Sequence, residues 1–270
     1  MKIGNKDFDL KKEVYIMGIL NVTPDSFSDG GMWNDTDKAL IQVEKMITEG
    51  ATIIDVGGES TKPGYVAVSE DEEIERVAPV IELIKEKFDI AVSIDTYKSK
   101  VALSAIEAGA DMVNDIWGLK ADDAMAGIIA EKQVPCCLMH NRDIKSNPYN
   151  DYLADVISDL EKCVDIALEA GIDKEKIILD PGIGFGKTLE QNLNLMNNCQ
   201  ILNKLNYPIL LGTSRKSMIG LTLDLPVGER VEGTIATTVM GVMKGCSIIR
   251  VHDVKENYRA AVMTKAILNS

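Results

Sequence analysis

The chain has 270 residues, 46% apolar and 26% charged, an ordinary globular balance with enough length for a substantial core. A net charge of −13 argues against the broad basic face of a nucleic-acid binder, while leaving room for a local basic pocket. The opening stretch MKIGNKDFDLKKE does not read as a secretory signal, and no apolar run is long enough to span a bilayer, so a cytoplasmic protein without a membrane partner is expected.

Strand-like and helix-like runs alternate along the chain. Strands are expected at 13–20 (EVYIMGIL), 52–57 (TIIDVG), 91–95 (AVSID), 111–115 (DMVND), 135–140 (PCCLMH), 177–180 (IILD), 208–212 (PILLG) and 247–252 (SIIRVH). Between them lie helical spacings, such as Ala39, Leu40, Val43, Met46 and Ile47, then Val101, Ala102, Ala105 and Ile106. A longer one runs through Leu153, Val156, Ile157, Leu160, Val164 and Ile166. Gly50, Gly109, Gly171 and Gly245 fall where helices should end, and Ser69 with Glu72, or Asp253 with Glu256, fit capping boxes. The cysteines, at 136, 137, 163, 199 and 246, are odd in number and form no C-x-x-C, so they read as reduced thiols. Cys136 and Cys137 should point to opposite faces of their strand.

Eight strands with helical crossovers imply a parallel α/β fold, and eight closes a (β/α)8 TIM barrel, here one domain over 1–270. A doubly wound open sheet is the alternative. The barrel is favoured because polar residues end almost every strand: Asn21, Gly57–Glu59, Asp95, Asn114, His140, Asp180, Ser214 and His252. An open sheet would gather them at one switch point.

The last strand, IRVHDV (249–254), sets the chemistry. Its two-residue period turns Ile249 and Val251 toward the helices and Arg250 and His252 into the barrel mouth. With a helix starting nearby, the pair makes an anion site, most naturally for phosphate. LDPGIGFGKT (179–188) fails as a P-loop and as a dinucleotide fingerprint. It leaves Asp180 at a strand end before a loop that can approach a ligand, or else a tight turn with Asp180 as a cap. Asp95 and Asn114, inward on neighbouring strands, suit a flat heterocycle with amide and amine edges, although Asp95 could equally cap a helix. Arg215 and Lys216 follow the seventh strand, either as a solvated pair or in a compact loop at the same barrel end. NVTPDSFSDGG (21–31) and GGESTKPGY (57–65) are long polar loops, lids or plain surface. His140 reads as a core or mouth residue, because two histidines without a carboxylate cluster make no zinc site.

Together these stretches resemble the dihydropteroate synthase family. The matching segments are IMGILNVTPDSFSDGG (16–31), IIDVGGESTKPG (53–64), SIDTYKSKVA (93–102), VNDIWG (113–118), LMH (138–140), DPGIGFGKT (180–188), GTSRKSMIG (212–220) and IRVHD (249–253), one at each strand end and in family order. The resemblance implies a barrel, usually dimeric, that joins (7,8-dihydropterin-6-yl)methyl diphosphate to 4-aminobenzoate, releasing diphosphate. It implies that Asp95, Asn114, Asp180 and Lys216 hold the pterin, with Asp180 on the 2-amino and N3–H edge and Lys216 on the ring carbonyl. Arg250 would stack on the ring and, with His252, grip the diphosphate. Asn21 would ligate a diphosphate-bound Mg²⁺. Thr61, Pro63, Phe185 and Ser217 would border the aminobenzoate pocket. Asp95, Lys216, Arg250 and His252 are the catalytic candidates. Lys62 stands where the family often has Arg, which keeps the charge and loses bidentate phosphate contact. Pterin-barrel methyltransferase domains and a non-catalytic paralogue are the alternatives. The anion pair argues against the first, since a methyl-folate carries no diphosphate, and the intact polar ring argues against the second.

Overall fold

A computed structural model describes residues 1–23, 32–59 and 68–270. All eight expected strands are present: β3 (Tyr15–Asn21), β4 (Ile53–Gly57), β5 (Ala91–Asp95), β6 (Met112–Asp115), β7 (Cys136–Met139), β8 (Ile177–Asp180), β9 (Leu210–Leu211) and β10 (Ile248–Val251). They pair in parallel in the order β8-β7-β6-β5-β4-β3-β10-β9. A further bridge between Leu179 and Ile209 closes the ring. β9 is the shortest of the eight. Pro208 cannot donate to the ladder, but its carbonyl accepts the Leu179 N–H at 2.9 Å and carries the closure one residue further.

The helices α1 (Met32–Thr48), α2 (Glu70–Lys87), α3 (Ser99–Glu107), α4 (Met125–Lys132), α5 (Tyr152–Glu169) and α6 (Leu189–Asn197) each cross between successive strands. Both α7 (Ser217–Leu223) and α8 (Val231–Met243) lie between β9 and β10, and α9 (Val254–Leu268) ends the chain. Gly109, Gly171 and Gly245 follow the ends of α3, α5 and α8 with φ of +110°, +92° and +93°, the left-handed turn expected there. Ser69 accepts the Glu72 N–H at 3.2 Å and starts α2. Asp253 makes no such bond at the start of α9; its carboxylate is committed elsewhere.

Strand alternation divides the apolar side chains into two cores. Outward residues such as Ile54, Val92, Val113, Cys136, Ile249 and Val251 pack against the helices. Inward residues Met17, Ile53, Ala91, Met112, Cys137, Ile178, Leu210 and Ile248 fill the barrel floor. The adjacent cysteines thus sit on opposite faces, as the two-residue period requires. A small hairpin, β1 (Lys2–Ile3) with β2 (Lys6–Asp7), brings Ile3, Phe8 and Leu10 against that floor and plugs it from below. Two-residue strands carry no periodicity, so the hairpin left no pattern in the sequence.

Candidate active site

Most inward positions one layer above the floor are no longer apolar. Counting two residues along each strand from the floor gives Asp55, Ser93, Asn114, Asp180, Gly212 and Arg250, with Ile19 and Met139 on the remaining two strands. Arg250 lies at the centre. Its Nε donates to Asp55 Oδ2 and its Nη2 to Asp95 Oδ2. Asn114 Nδ2 donates to the same Asp55 oxygen at 3.1 Å, so strands β4, β5, β6 and β10 meet in one network. Burial would lower the Arg250 pKa, but the Asp55 and Asp95 carboxylates overcome it and hold the guanidinium charged. Burial pushes Asp95 up to about 7, against the pull of Arg250 and with repulsion from Asp55.

Three side chains with charged groups converge beside Gly212. Its Cβ position lies 3.7 Å from Asp180 Oδ2, 3.9 Å from Arg250 Cδ and 3.9 Å from Lys216 Nζ. Asp180 Oδ1 accepts the Gly182 N–H at 2.6 Å, which fixes the carboxylate and turns its other oxygen toward Lys216. Burial raises the Asp180 pKa and pushes Lys216 down to about 8; each opposes the other's shift by charge. Lys216 also donates to the Ile183 carbonyl, and its Nζ lies 4.6 Å from the Phe185 ring centroid. The pair Arg215–Lys216 is therefore no solvated couple. Arg215 forks onto Asp253 through Nε and Nη2, which explains why that carboxylate does not cap α9. Arg215 holds φ +57°, and its own carbonyl accepts from Arg230 Nη1 at 2.9 Å.

His252 sits half-buried at the rim. Ser214 Oγ accepts its backbone N–H at 3.1 Å and lies 3.0 Å from Nδ1. In the tautomer in which the Ser214 hydroxyl donates to Nδ1, Nε2–H is the ring's outward donor. Asn21 ends β3, where its Oδ1 lies 3.9 Å from the Cβ position of Gly57, beside Asp95. Ser217 opens α7 and is exposed. Thr61, Lys62 and Pro63, and most of the two long loops, lie outside the described residues.

The structure thus brings Asp95, Asn114, Asp180, Lys216 and Arg250 together, Asn114 and Asp180 buried and the other three partly so, with Phe185 against Lys216 and with Asn21 and His252 at the strand ends. Asp55 escaped the sequence reading. It is fully buried and shares parity with Gly57, yet it lies one layer below the strand ends on which that reading concentrated. Glu59, at the end of β4, is braced by Lys98 and by the Tyr97 hydroxyl at 3.0 Å.

A closed parallel barrel with this charge-paired mouth defines a barrel enzyme of the pterin-binding class, and the family described as pterin binding enzyme matches residues 17–252. A dihydropteroate synthase of Clostridium beijerinckii is 63% identical over 269 residues, 99% of each chain. A solved dihydropteroate synthase from Clostridium difficile, in the presence of pteroic acid, superposes with a TM-score of 0.95 at 51% identity, over 98% of this chain and 100% of that one. One from Xanthomonas albilineans with 4-aminobenzoic acid gives 0.90 at 38% identity, over 96% and 94%. The chain belongs to the dihydropteroate synthase family.

Proposed function

We propose that the described mouth, as part of one catalytic domain over 1–270, binds a dihydropterin methyl diphosphate and joins it to 4-aminobenzoate. The observation that carries this is a surplus of acceptors. Asp55 Oδ1, Ser93 Oγ and Asp95 Oδ1 are buried without a hydrogen-bond partner among the described residues. A buried acceptor without a donor costs stability, so a ligand edge rich in N–H groups is favoured there. The ring N–H groups of a dihydropterin would serve the unpartnered Asp95 oxygen, while its 2-amino and N3–H edge would meet Asp180, its carbonyl would meet Lys216, and Asn114 would border the remaining ring. Pteroic acid, a pterin joined to 4-aminobenzoate, and 4-aminobenzoic acid itself accompany the two solved relatives and match the joined skeleton and one of its two parts.

The arylamine nitrogen forms a bond to the exocyclic methylene carbon, the C–O bond to diphosphate breaks, and the amine gives up a proton. The Asp55, Asp95 and Asp180 carboxyl groups face Arg250 and Lys216, and in their ionised forms they favour positive charge developing on the pterin as the diphosphate leaves. Arg250 covers the ring face, and His252 Nε2–H, with the guanidinium, meets the departing oxygens. Phe185 and Ser217, with Thr61 and Pro63, border the aminobenzoate.

Mg²⁺ is the proposed cofactor. No group of three or more His, Cys, Asp or Glu side chains among the described residues is placed to hold a metal. A lone amide oxygen on Asn21 still fits an ion whose other ligands are diphosphate and water. Bound there, it would neutralise charge on the leaving group. A second copy of the chain is the proposed partner. Met240 and Met243 on α8, and Val262, Met263 and Ile267 on α9, are exposed on two helices that pack together, with 62% of Met243 and 60% of Met263 in solvent. A patch of that kind favours self-association, which sedimentation should show as a dimer. No helix among the described residues is long and apolar enough to cross a membrane, in keeping with the proposed cytoplasmic setting.

The reading is tested by measuring diphosphate release from the pterin diphosphate with and without 4-aminobenzoate. Release that needs the arylamine and stops with a chelator is expected. Release indifferent to the arylamine would sink the synthase reading. Chelation should leave the melting temperature of the ligand-free protein unchanged, and a large drop would reveal a structural metal instead.

A further inference from the structure

Behind the mouth lies a half-buried lysine for which the proposed reaction has no use. Lys187 closes the loop that follows β8, and its ammonium turns back under that loop. Nζ donates to the Gly182 carbonyl at 2.8 Å and to the Phe185 carbonyl at 2.9 Å, and lies 2.9 Å from His140 Nδ1. His140 is fully buried, and its Nε2 is 3.4 Å from Asp159 Oδ2. Asp159 is itself held by Arg142 Nε at 2.7 Å. Nε2 makes no hydrogen bond among the described residues, so the nearby Asp159 carboxylate acts by charge, favouring the tautomer protonated at Nε2, in which Nδ1 accepts from Lys187. All three neighbours of Nζ are then acceptors. An ammonium has three N–H groups to match them, whereas a neutral amine would set its lone pair against one of them.

The loop above is shaped by this contact. Gly182, Gly184 and Gly186 take φ of +68°, +89° and +54°, turning successive peptide planes to opposite sides. The Gly182 and Phe185 carbonyls face down to Lys187. The Ile183 carbonyl faces Lys216, whose ammonium also meets the Phe185 ring. Burial, with the like charge of Lys216, pushes Lys187 down to about 7.

We propose that Lys187 is a positioning residue for the synthase reaction. Seated on His140, it holds the Gly182 and Phe185 carbonyls from beneath, so that the Phe185 ring keeps the shape of the aminobenzoate pocket. The inference rests on the synthase reading and adds a residue that touches neither substrate.

The test is Lys187→Met, which keeps the length of the side chain and removes its three donors. KM for 4-aminobenzoate should rise at least tenfold, with kcat within about threefold of the parent and the pterin Kd, read by calorimetry, within about threefold. A tenfold change is about 1.4 kcal/mol of arylamine binding. Should Lys187→Met not fold, Lys187→Arg keeps the charge but cannot match three acceptors with a planar fork, and the same split in KM is expected from it. An unmoved KM in a folded variant overturns the proposal. So does a parallel loss in KM, kcat and pterin affinity accompanied by a lower melting temperature, because that is the mark of a mere brace. A parent protein that fails to join the two substrates defeats the synthase reading itself and this inference with it. A parent that turns over, with an unmoved KM in the variant, defeats only the role of Lys187.

Discussion

The floor of the barrel and the layer above it are built on the same strands, two residues apart. Ile53 and Asp55 share β4, Met112 and Asn114 share β6, and Ile248 and Arg250 share β10. Every floor side chain is apolar and buried, and its contacts are complete within the protein. Most of the upper layer is buried almost as fully, but its charges are paired off unevenly and some acceptors have no donor among the described residues. A barrel interior therefore does two jobs at two heights. Burial below supplies stability without specificity. Burial above costs stability, which the fold tolerates because a ligand completes the hydrogen bonds.

Substitutions at the two heights should separate these jobs. The largest effect is expected at the floor. Ile53→Ala removes a fully buried side chain from a packed layer and should cost about 2–5 kcal/mol in denaturant unfolding. Turnover per folded molecule should hold. A loss of turnover without a loss of stability would abolish the distinction between floor and mouth.

Next is Arg250→Ala. Binding of the pterin diphosphate should weaken at least tenfold more than binding of the corresponding pterin alcohol, since a charged hydrogen bond is worth about 1.5–3 kcal/mol. The ratio of the two affinities is the useful readout, because removing the partner of Asp55 and Asp95 will also lower stability. His252→Ala should affect the diphosphate ester almost alone. Equal losses for both ligands would mean that these side chains only brace the rim.

The smallest of the three is Asp180→Asn. Gly182 N–H fixes which side of the new amide carries the oxygen, so the NH₂ must face the ligand and Lys216. Calorimetry should show at least a tenfold weaker pterin, about 1.4 kcal/mol, with an unchanged melting curve. Unchanged affinity would remove Asp180 from the site.

Much of this was legible in the sequence because strand period and strand ends carry strong signals. Arg250 and His252 could be aimed inward from alternation alone, and Asp95 and Asn114 likewise. Asp55 obeys the same alternation, but a buried aspartate within an apolar run is not marked by a turn or a loop, and its partner is 195 residues away in sequence. The role of Asp253 was misread for a related reason. Its spacing to Glu256 fits a cap, yet a guanidinium from the loop after β9 offers two hydrogen bonds where the helix offers one. The hairpin at the N-terminus was invisible because its strands are too short to show a period. Lys187 looked like the tail of a glycine-rich motif; only the folded loop shows which way its carbonyls point.

The plug formed by Ile3, Phe8 and Leu10 has a consequence for traffic through the enzyme. With the bottom sealed, the chamber opens at the strand ends. On the proposed reading, a pterin resting on Asp180 and Asn114 would occupy the deeper end, and an arylamine beside Phe185 would stand nearer the threshold. The deeper guest would then enter first, and an arylamine arriving early would block the way in. The departing diphosphate would leave by the same end, ahead of a product whose pterin lies innermost.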